Sequence, residues 1–166
     1  MRFTPAALGA ALILLTVSTA TLGAPRTDPV KPGSIALVEA GNAARAAGNN
    51  DEASDLYVSA LAVDPRNATA YVALGQIAEA VNLNGTAIRY YRDALALTPD
   101  NPDAIAGEGS ALAEKGAVER ARESLVRLKQ VCRSGCPQIA GLERAIAAGP
   151  RPETAAVEPV GEAQKN

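Results

Sequence analysis

The sequence predicts an all-α fold built from repeated helix pairs, and three observations lead to this prediction. Glycine occupies positions 41, 75 and 109 and alanine occupies 53, 87 and 121, so both series step by 34 residues. Two series with one period indicate a repeat architecture. Within each period the apolar residues recur at intervals of three and four, as along one face of a helix. Proline follows Asp64 and Thr98 at the same 34-residue separation, where a helix is expected to end.

Each period is predicted to contain two helices. The helix pairs are expected at residues 34–47 with 51–64, 68–81 with 85–98, and 102–115 with 118–132, followed by a last helix from Pro137 to Ala148. Asn67 and Asn101 are suited to cap the helices that begin the second and third periods. Because glycine costs a helix interior about 1 kcal/mol relative to alanine, the periodic glycines are interpreted as sites where a neighbouring helix comes close.

Residues 68–101 contain a set that resembles the tetratricopeptide repeat (TPR), namely Tyr71, Leu74, Gly75, Ala78, Ala87, Tyr91, Ala94 and Pro99. Residues 34–67 form a second match. Residues 102–135 form a degenerate one, with Glu108 at a leucine position, Leu128 at a small position and Arg133 at the proline position. The resemblance implies a right-handed solenoid of three TPR helix pairs with a capping helix at 137–148, together a TPR domain at 34–148.

The first twenty residues are predicted to be a signal peptide. Arg2 precedes an apolar run over residues 6–17, and Ser18 and Ala20 place small residues at −3 and −1 of the cleavage site. Cleavage after Ala24 is a less favoured alternative. Retention of the segment as an anchor is another, and it is disfavoured because the run is shorter than the roughly 20 residues that span a bilayer. The predicted location is therefore periplasmic or secreted, with no membrane insertion after cleavage.

The two segments that flank the repeats are predicted to be disordered. Residues 21–33 form a linker and residues 149–166 a tail, both rich in proline, glycine, alanine and charge without helical periodicity.

Composition argues against several classes of function. Without Arg2 the chain has 15 basic and 18 acidic residues and no basic run, so no nucleic-acid partner is expected. It has no histidine, which removes the usual general base and the usual metal ligand, and no phosphate-binding glycine loop. We therefore expect no enzyme, no cofactor and no metal site.

Cys132 and Cys136 are the only cysteines. Export favours a disulfide between them, which would join the third repeat to the last helix. The alternative is a thiol redox or metal-handling protein on the same scaffold, since Cys136 precedes a helix start, where a thiolate is favoured.

By resemblance to the family, the first helices line a concave groove that binds a partner protein or peptide. The groove residues expected from the family positions are Val38, Asn42, Arg45, Thr69, Val72, Gln76, Glu79, Asp103, Ser110 and Glu114. They imply an apolar floor with polar contacts. Ser110 and Glu114 do not fit the basic clamp with which some members hold a terminal carboxylate, so a partner segment with apolar anchors and positive charge is expected.

The predicted function is that of an exported, non-enzymatic adaptor or scaffold, with a role in envelope, pilus or secretion-system assembly. A thiol redox or metal-handling protein that uses Cys132 and Cys136 is the alternative, and a scaffold tethered by a retained signal is a third possibility.

Overall fold

The computed structural model describes residues 29–133 and 135–150, and this part of the chain contains seven helices and no strand. The helices are α1 Pro32–Ala46, α2 Asn50–Val63, α3 Ala68–Ala80, α4 Asn84–Leu97, α5 Pro102–Glu114, α6 Val118–Val131 and α7 Pro137–Ala148. Every predicted helix is present, and each end lies within two residues of its predicted position. The predicted signal peptide and most of the predicted tail lie outside the described residues, and α1 takes Pro32 and Gly33 from the predicted linker.

The helix ends follow from local chemistry. The side chain of Asn67 accepts a hydrogen bond from the amide of Ala70, and that of Asn101 accepts one from the amide of Ala104 at 3.0 Å. Both asparagines therefore cap their helices as expected. At the other end of each pair, Asp64 and Thr98 have φ of −143° and −133°, because the following proline disfavours helical geometry.

The periodic glycines of the first two repeats each receive a tyrosine ring. A Cβ atom at Gly41 would lie 2.5 Å from Cε1 of Tyr57, and one at Gly75 would lie 2.7 Å from Cε1 of Tyr91. Both rings are almost completely buried. The rings lie against the glycines because no side chain occupies that space, so the interpretation of these glycines as packing sites is confirmed.

The helices stack in chain order, and each packs on the next. Two further contacts skip one helix, α3 with α5 and α5 with α7, and both join helices of the same row. Helices that contact their second neighbours lie on the shorter side of a curved stack. The row of α1, α3, α5 and α7 is therefore the inner row, and its solvent side is called the inner face below.

The third repeat is built differently. A Cβ atom at Gly109 would lie 2.8 Å from Leu142 of α7, whereas the period points to Leu125 of α6 as its partner. Leu142 is fully buried and Leu125 is half-buried. Glu108, which stands at a leucine position, pairs instead with Arg92 of α4 at 2.7 Å.

Three further contacts hold α7 on the stack. The side chain of Gln138 donates to Asp103 of α5 at 2.7 Å. Lys129 of α6 pairs with Glu143 at 2.7 Å. A disulfide joins Cys132 to Cys136, across the short connection that leads from α6 into α7. The capping helix is thus attached to both members of the third pair.

Candidate functional site

The predicted groove residues divide by exposure into three groups. Asn42, Thr69 and Asp103 are exposed on the inner face. Half-buried positions are Arg45, Gln76, Glu79, Ser110 and Glu114. Val38 and Val72 are only 5% and 7% exposed. The accessible surface of the inner face is therefore mainly polar.

The expectation of an apolar floor needs a correction. Val38 and Val72 belong to the hydrophobic cores between the helices, so a bound segment does not reach them. The large apolar side chain that does reach solvent on α1 is Ile35, which is 45% exposed. An apolar contact is thus available near the start of the first helix.

Polar side chains connect neighbouring helices across the inner face. The guanidinium of Arg45 on α1 donates to the amide oxygen of Gln76 on α3. Asp103 on α5 accepts from Gln138 on α7. These two bridges tie adjacent helices together at the surface that is expected to receive a partner, so its shape is set before binding.

The two buried tyrosines extend to the same surface from behind. The Tyr57 hydroxyl donates to Oδ1 of Asn42 at 2.8 Å, and the Tyr91 hydroxyl donates to Oε2 of Glu79 at 2.8 Å. Each phenol thereby holds an inner-face side chain in place. The glycines make this possible, since each ring lies against a glycine and its hydroxyl reaches a side chain of the first helix of the pair.

Burial keeps both phenols protonated. Burial raises the pKa of Tyr91, and the Glu79 carboxylate raises it further by its charge and hydrogen bond. Burial also raises the pKa of Tyr57, against a smaller opposite effect of Arg45. The hydroxyls therefore act as hydrogen-bond donors at ordinary pH.

Sequence reasoning missed two residues of this site. Gly107 on α5 lies directly against the outer edge of the Tyr91 ring, which Gly75 on α3 also contacts, so glycines from two helices make room for this ring. A signal was available, since glycine also recurs at 107 and 141 with the 34-residue period. Gln138 gave no such signal, because the family pattern predicts α7 only as a cap, although this helix continues the inner row.

The second predicted site is the cysteine pair. The structure bonds the two sulfurs, with the Cα atoms 5.7 Å apart, and both residues are partly buried. Among the described residues, no three histidine, cysteine, aspartate or glutamate side chains lie together in a way that could hold a metal ion. Over the same residues, no helix is long and apolar enough to cross a membrane.

Comparisons with known proteins agree with this architecture. The first TPR of Spaghetti (RPAP3) bound to the HSP90 peptide SRMEEVD has a TM-score of 0.64 at 22% identity, over 70% of this chain and 92% of that one. The second TPR domain of human RPAP3, in complex with the HSP70 peptide SGPTIEEVD, has a TM-score of 0.63 at 19% identity, over 69% and 95% of the two chains. The Arabidopsis OM64 TPR domain has a TM-score of 0.64 at 18% identity, over 70% and 95%.

A search of curated protein sequences finds no match. The family model described as tetratricopeptide repeat, in contrast, matches residues 38–102 and 80–130, which together make up more than half of the chain. The 34-residue period of the chain, its contacts between glycine and tyrosine, and this match agree. The chain belongs to the tetratricopeptide repeat family.

Proposed function

We propose that this protein is a non-catalytic adaptor that binds a segment of a partner protein along its inner face. The observation that carries the proposal is the inner row of four helices, joined at its surface by the Arg45–Gln76 and Asp103–Gln138 bridges. A surface fixed in this way loses little conformational freedom when a partner binds. The TPR domains of RPAP3 bound to chaperone peptides support the same use of the fold.

The chemistry of the inner face points to a different class of peptide from those two. Their peptides SRMEEVD and SGPTIEEVD end in acidic residues. The inner face of this chain presents Glu79, Asp103 and Glu114, and its cation Arg45 is engaged with Gln76. We therefore propose a partner segment with basic side chains for the carboxylates and an apolar anchor for Ile35.

We also propose that the protein works outside the cytoplasm, in envelope, pilus or secretion-system assembly. The support is the sequence of residues 1–20, with its single arginine, apolar run and small residues before the expected cut. Cell fractionation and the mass of the mature protein test this. A cytoplasmic protein that retains residue 1 would contradict it.

Crosslinking from the inner face tests the binding proposal. A photoreactive residue at Thr69, which is exposed, should capture a partner, whereas the same residue at exposed Asp55 on α2 should not. Identification of the captured segment then shows whether it contains basic residues. Equal capture from both positions would place the binding surface elsewhere.

Charge reversal makes the test quantitative. Glu79→Arg with Glu114→Arg should weaken binding of the captured segment by about tenfold or more, because both changes oppose its positive charge. Asp55→Arg with Glu123→Arg alters two exposed acids of the second helices and should leave binding unchanged.

Because Glu79 also holds Tyr91, the melting temperature of each variant must be measured alongside. Thr69→Arg adds a positive charge to the inner face without removing a known contact, and it should weaken binding in the same direction. Unchanged binding in both inner-face variants would contradict the proposal.

A further inference from the structure

A second feature of the stack has no role in the inner face. A cavity of about 300 Å³ opens where α4, α5 and α6 meet. Ile88 and Leu112 form an apolar part of its wall, and Arg92, Lys115 and Arg120 supply three cations. Among the described residues that line it, none is acidic. We call it the basic cavity.

Two of the three cations are available to a ligand. Arg92 is paired with Glu108 at 2.7 Å. Lys115 and Arg120 are exposed, and neither forms an ion pair with any described residue. The ammonium of Lys115 lies 3.7 Å from the position of a Cβ atom at Gly85, so it stands over the first turn of α4. Excess positive charge at the cavity favours a ligand that carries carboxylates.

The chain itself supplies such a ligand next to the cavity. Pro150, the last described residue, lies 3.8 Å from the position of a Cβ atom at Gly116, between the two lining residues Lys115 and Ala117. The chain therefore leaves the fold at the rim of the basic cavity. Glu153 follows three residues later, within a reach of about 10 Å.

The composition of residues 151–166 fits the cavity. This segment has three acids, Glu153, Glu158 and Glu162, against two bases, and Val157 and Val160 lie between the acids. A segment tethered at the rim binds at a high effective concentration, on the order of mM for a short flexible link, so weak individual contacts suffice. A separate acidic protein has the same charge but lacks this advantage.

We propose that residues 151–166 bind intramolecularly in the basic cavity. The contact would pair acidic side chains of this segment with Lys115 and Arg120, the two cavity cations that form no ion pair with a described residue. This contact is independent of the inner face and of any partner bound there.

NMR of the full chain tests the proposal. Glu153→Gln with Glu158→Gln should shift the amide signals of Gly85 and Gly116 at the cavity and leave that of Gly41, in the first helix pair, unmoved. Salt at about 0.5 M screens exposed charges, so its addition should shift the wild-type signals in the same direction. Cavity signals that are identical in variant and wild type would overturn the proposal.

A peptide of residues 151–166, added to the full-length double-glutamine variant, identifies the surface. It should restore the wild-type positions of the Gly85 and Gly116 signals. Lys115→Glu with Arg120→Glu in the same chain should weaken that binding by about fivefold or more. Binding unaffected by these two reversals would overturn the assignment of the site.

Dilution separates the intramolecular contact from exchange between two copies. The wild-type signals should not change with protein concentration if each chain occupies its own cavity. A shift that grows with concentration would show that the tail of a second copy is bound and would overturn the intramolecular proposal. Capture experiments on the inner face are unaffected by either result.

Discussion

The joints after the first and third helix pairs hold the same place in the repeat and are stabilised by different chemistry. Asp64 and Cys132 stand two periods apart, each directly after a second helix. Asp64 is buried and accepts hydrogen bonds from the backbone amides of Lys31 and Arg66, both at 3.0 Å. Cys132 is instead bonded covalently to Cys136.

The difference follows from what each joint must connect. At the first joint, the start of α1 lies alongside, and its backbone supplies the amide of Lys31 as a donor. Ser34 donates to the carbonyl oxygen of Ala60 and accepts from Asn67, both at 2.8 Å, which completes a buried polar network. At the third joint the next element is a single helix, and a covalent link of five residues directs α7 back onto α5. A joint between repeats therefore needs a fixed geometry, and the chemistry that fixes it can vary.

The same comparison applies to the glycine sites, and the variant with the largest expected effect on stability is Leu142→Ala. In the first two repeats a tyrosine of the same pair lies against the glycine, but in the third Leu142 of α7 does so. Removal of this fully buried side chain should lower the free energy of unfolding by about 2–5 kcal/mol, as measured by urea denaturation. Exposed Val126→Ala is the control and should change it little. A small effect of Leu142→Ala would mean that α7 is not part of the folded unit.

Gly75→Leu tests the corresponding contact in the second repeat. A side chain at this position would overlap the Tyr91 ring, and the overpacking should cost about 1–3 kcal/mol or more. Gly141→Leu makes the same exchange in α7, where the position of a Cβ atom has no neighbour within 4 Å, and it should not destabilise. Equal melting temperatures for the two variants would show that the ring does not lie against Gly75.

Cys132→Ser with Cys136→Ser tests the covalent joint. Loss of the disulfide, which closes a loop of five residues, should lower the free energy of unfolding by about 2 kcal/mol in the chain-entropy estimate, less any strain in the bond. The double variant should still bind the partner of the inner face. Thiol counting on the wild type should find no free thiol. Two reactive thiols in the wild type would favour the redox alternative, as would a double variant that keeps full stability but loses a redox activity of the wild type.

Asp64→Asn tests the polar joint through its pH dependence. Hydrogen bonds from the amides of Lys31 and Arg66 lower the pKa of Asp64 from 3.8 to about 2. Because this pKa is lower in the folded state than in the unfolded state, the ionised Asp64 carboxylate stabilises the fold above about pH 4, and this contribution is lost as pH falls toward 2. The variant should therefore melt below wild type at pH 7, with a gap that narrows in acid. Exposed Asp55→Asn should show no such pattern, and a gap independent of pH would contradict the role assigned to Asp64.

The parts of the fold that sequence reasoning predicted are those governed by local chemistry. The 34-residue period, the asparagine caps and the prolines after Asp64 and Thr98 place every helix end within two residues. The period also identified Gly41 and Gly75 as packing sites, because glycine destabilises a helix interior and recurs there only where close approach requires it.

The parts that were missed depend on packing between distant segments. Nothing near Gly109 shows that Leu142, thirty-three residues later, takes the place of Leu125. The burial of Val38 and Val72 depends on how closely the helices of the inner row approach one another, so the period places them on the correct face and does not give their exposure.

One consequence concerns how such an array could be lengthened by design. α7 repeats the first-helix pattern, with Ile139 and Leu142 one period after Ile105 and Glu108, but Glu143 stands where the earlier helices have glycine. Its side chain, which pairs with Lys129 at 2.7 Å, extends from the position where the earlier helices leave room for a ring. Adding a further helix pair after α7 therefore requires Glu143→Gly first. Without that exchange, the aromatic ring of the added helix would have no surface on which to pack.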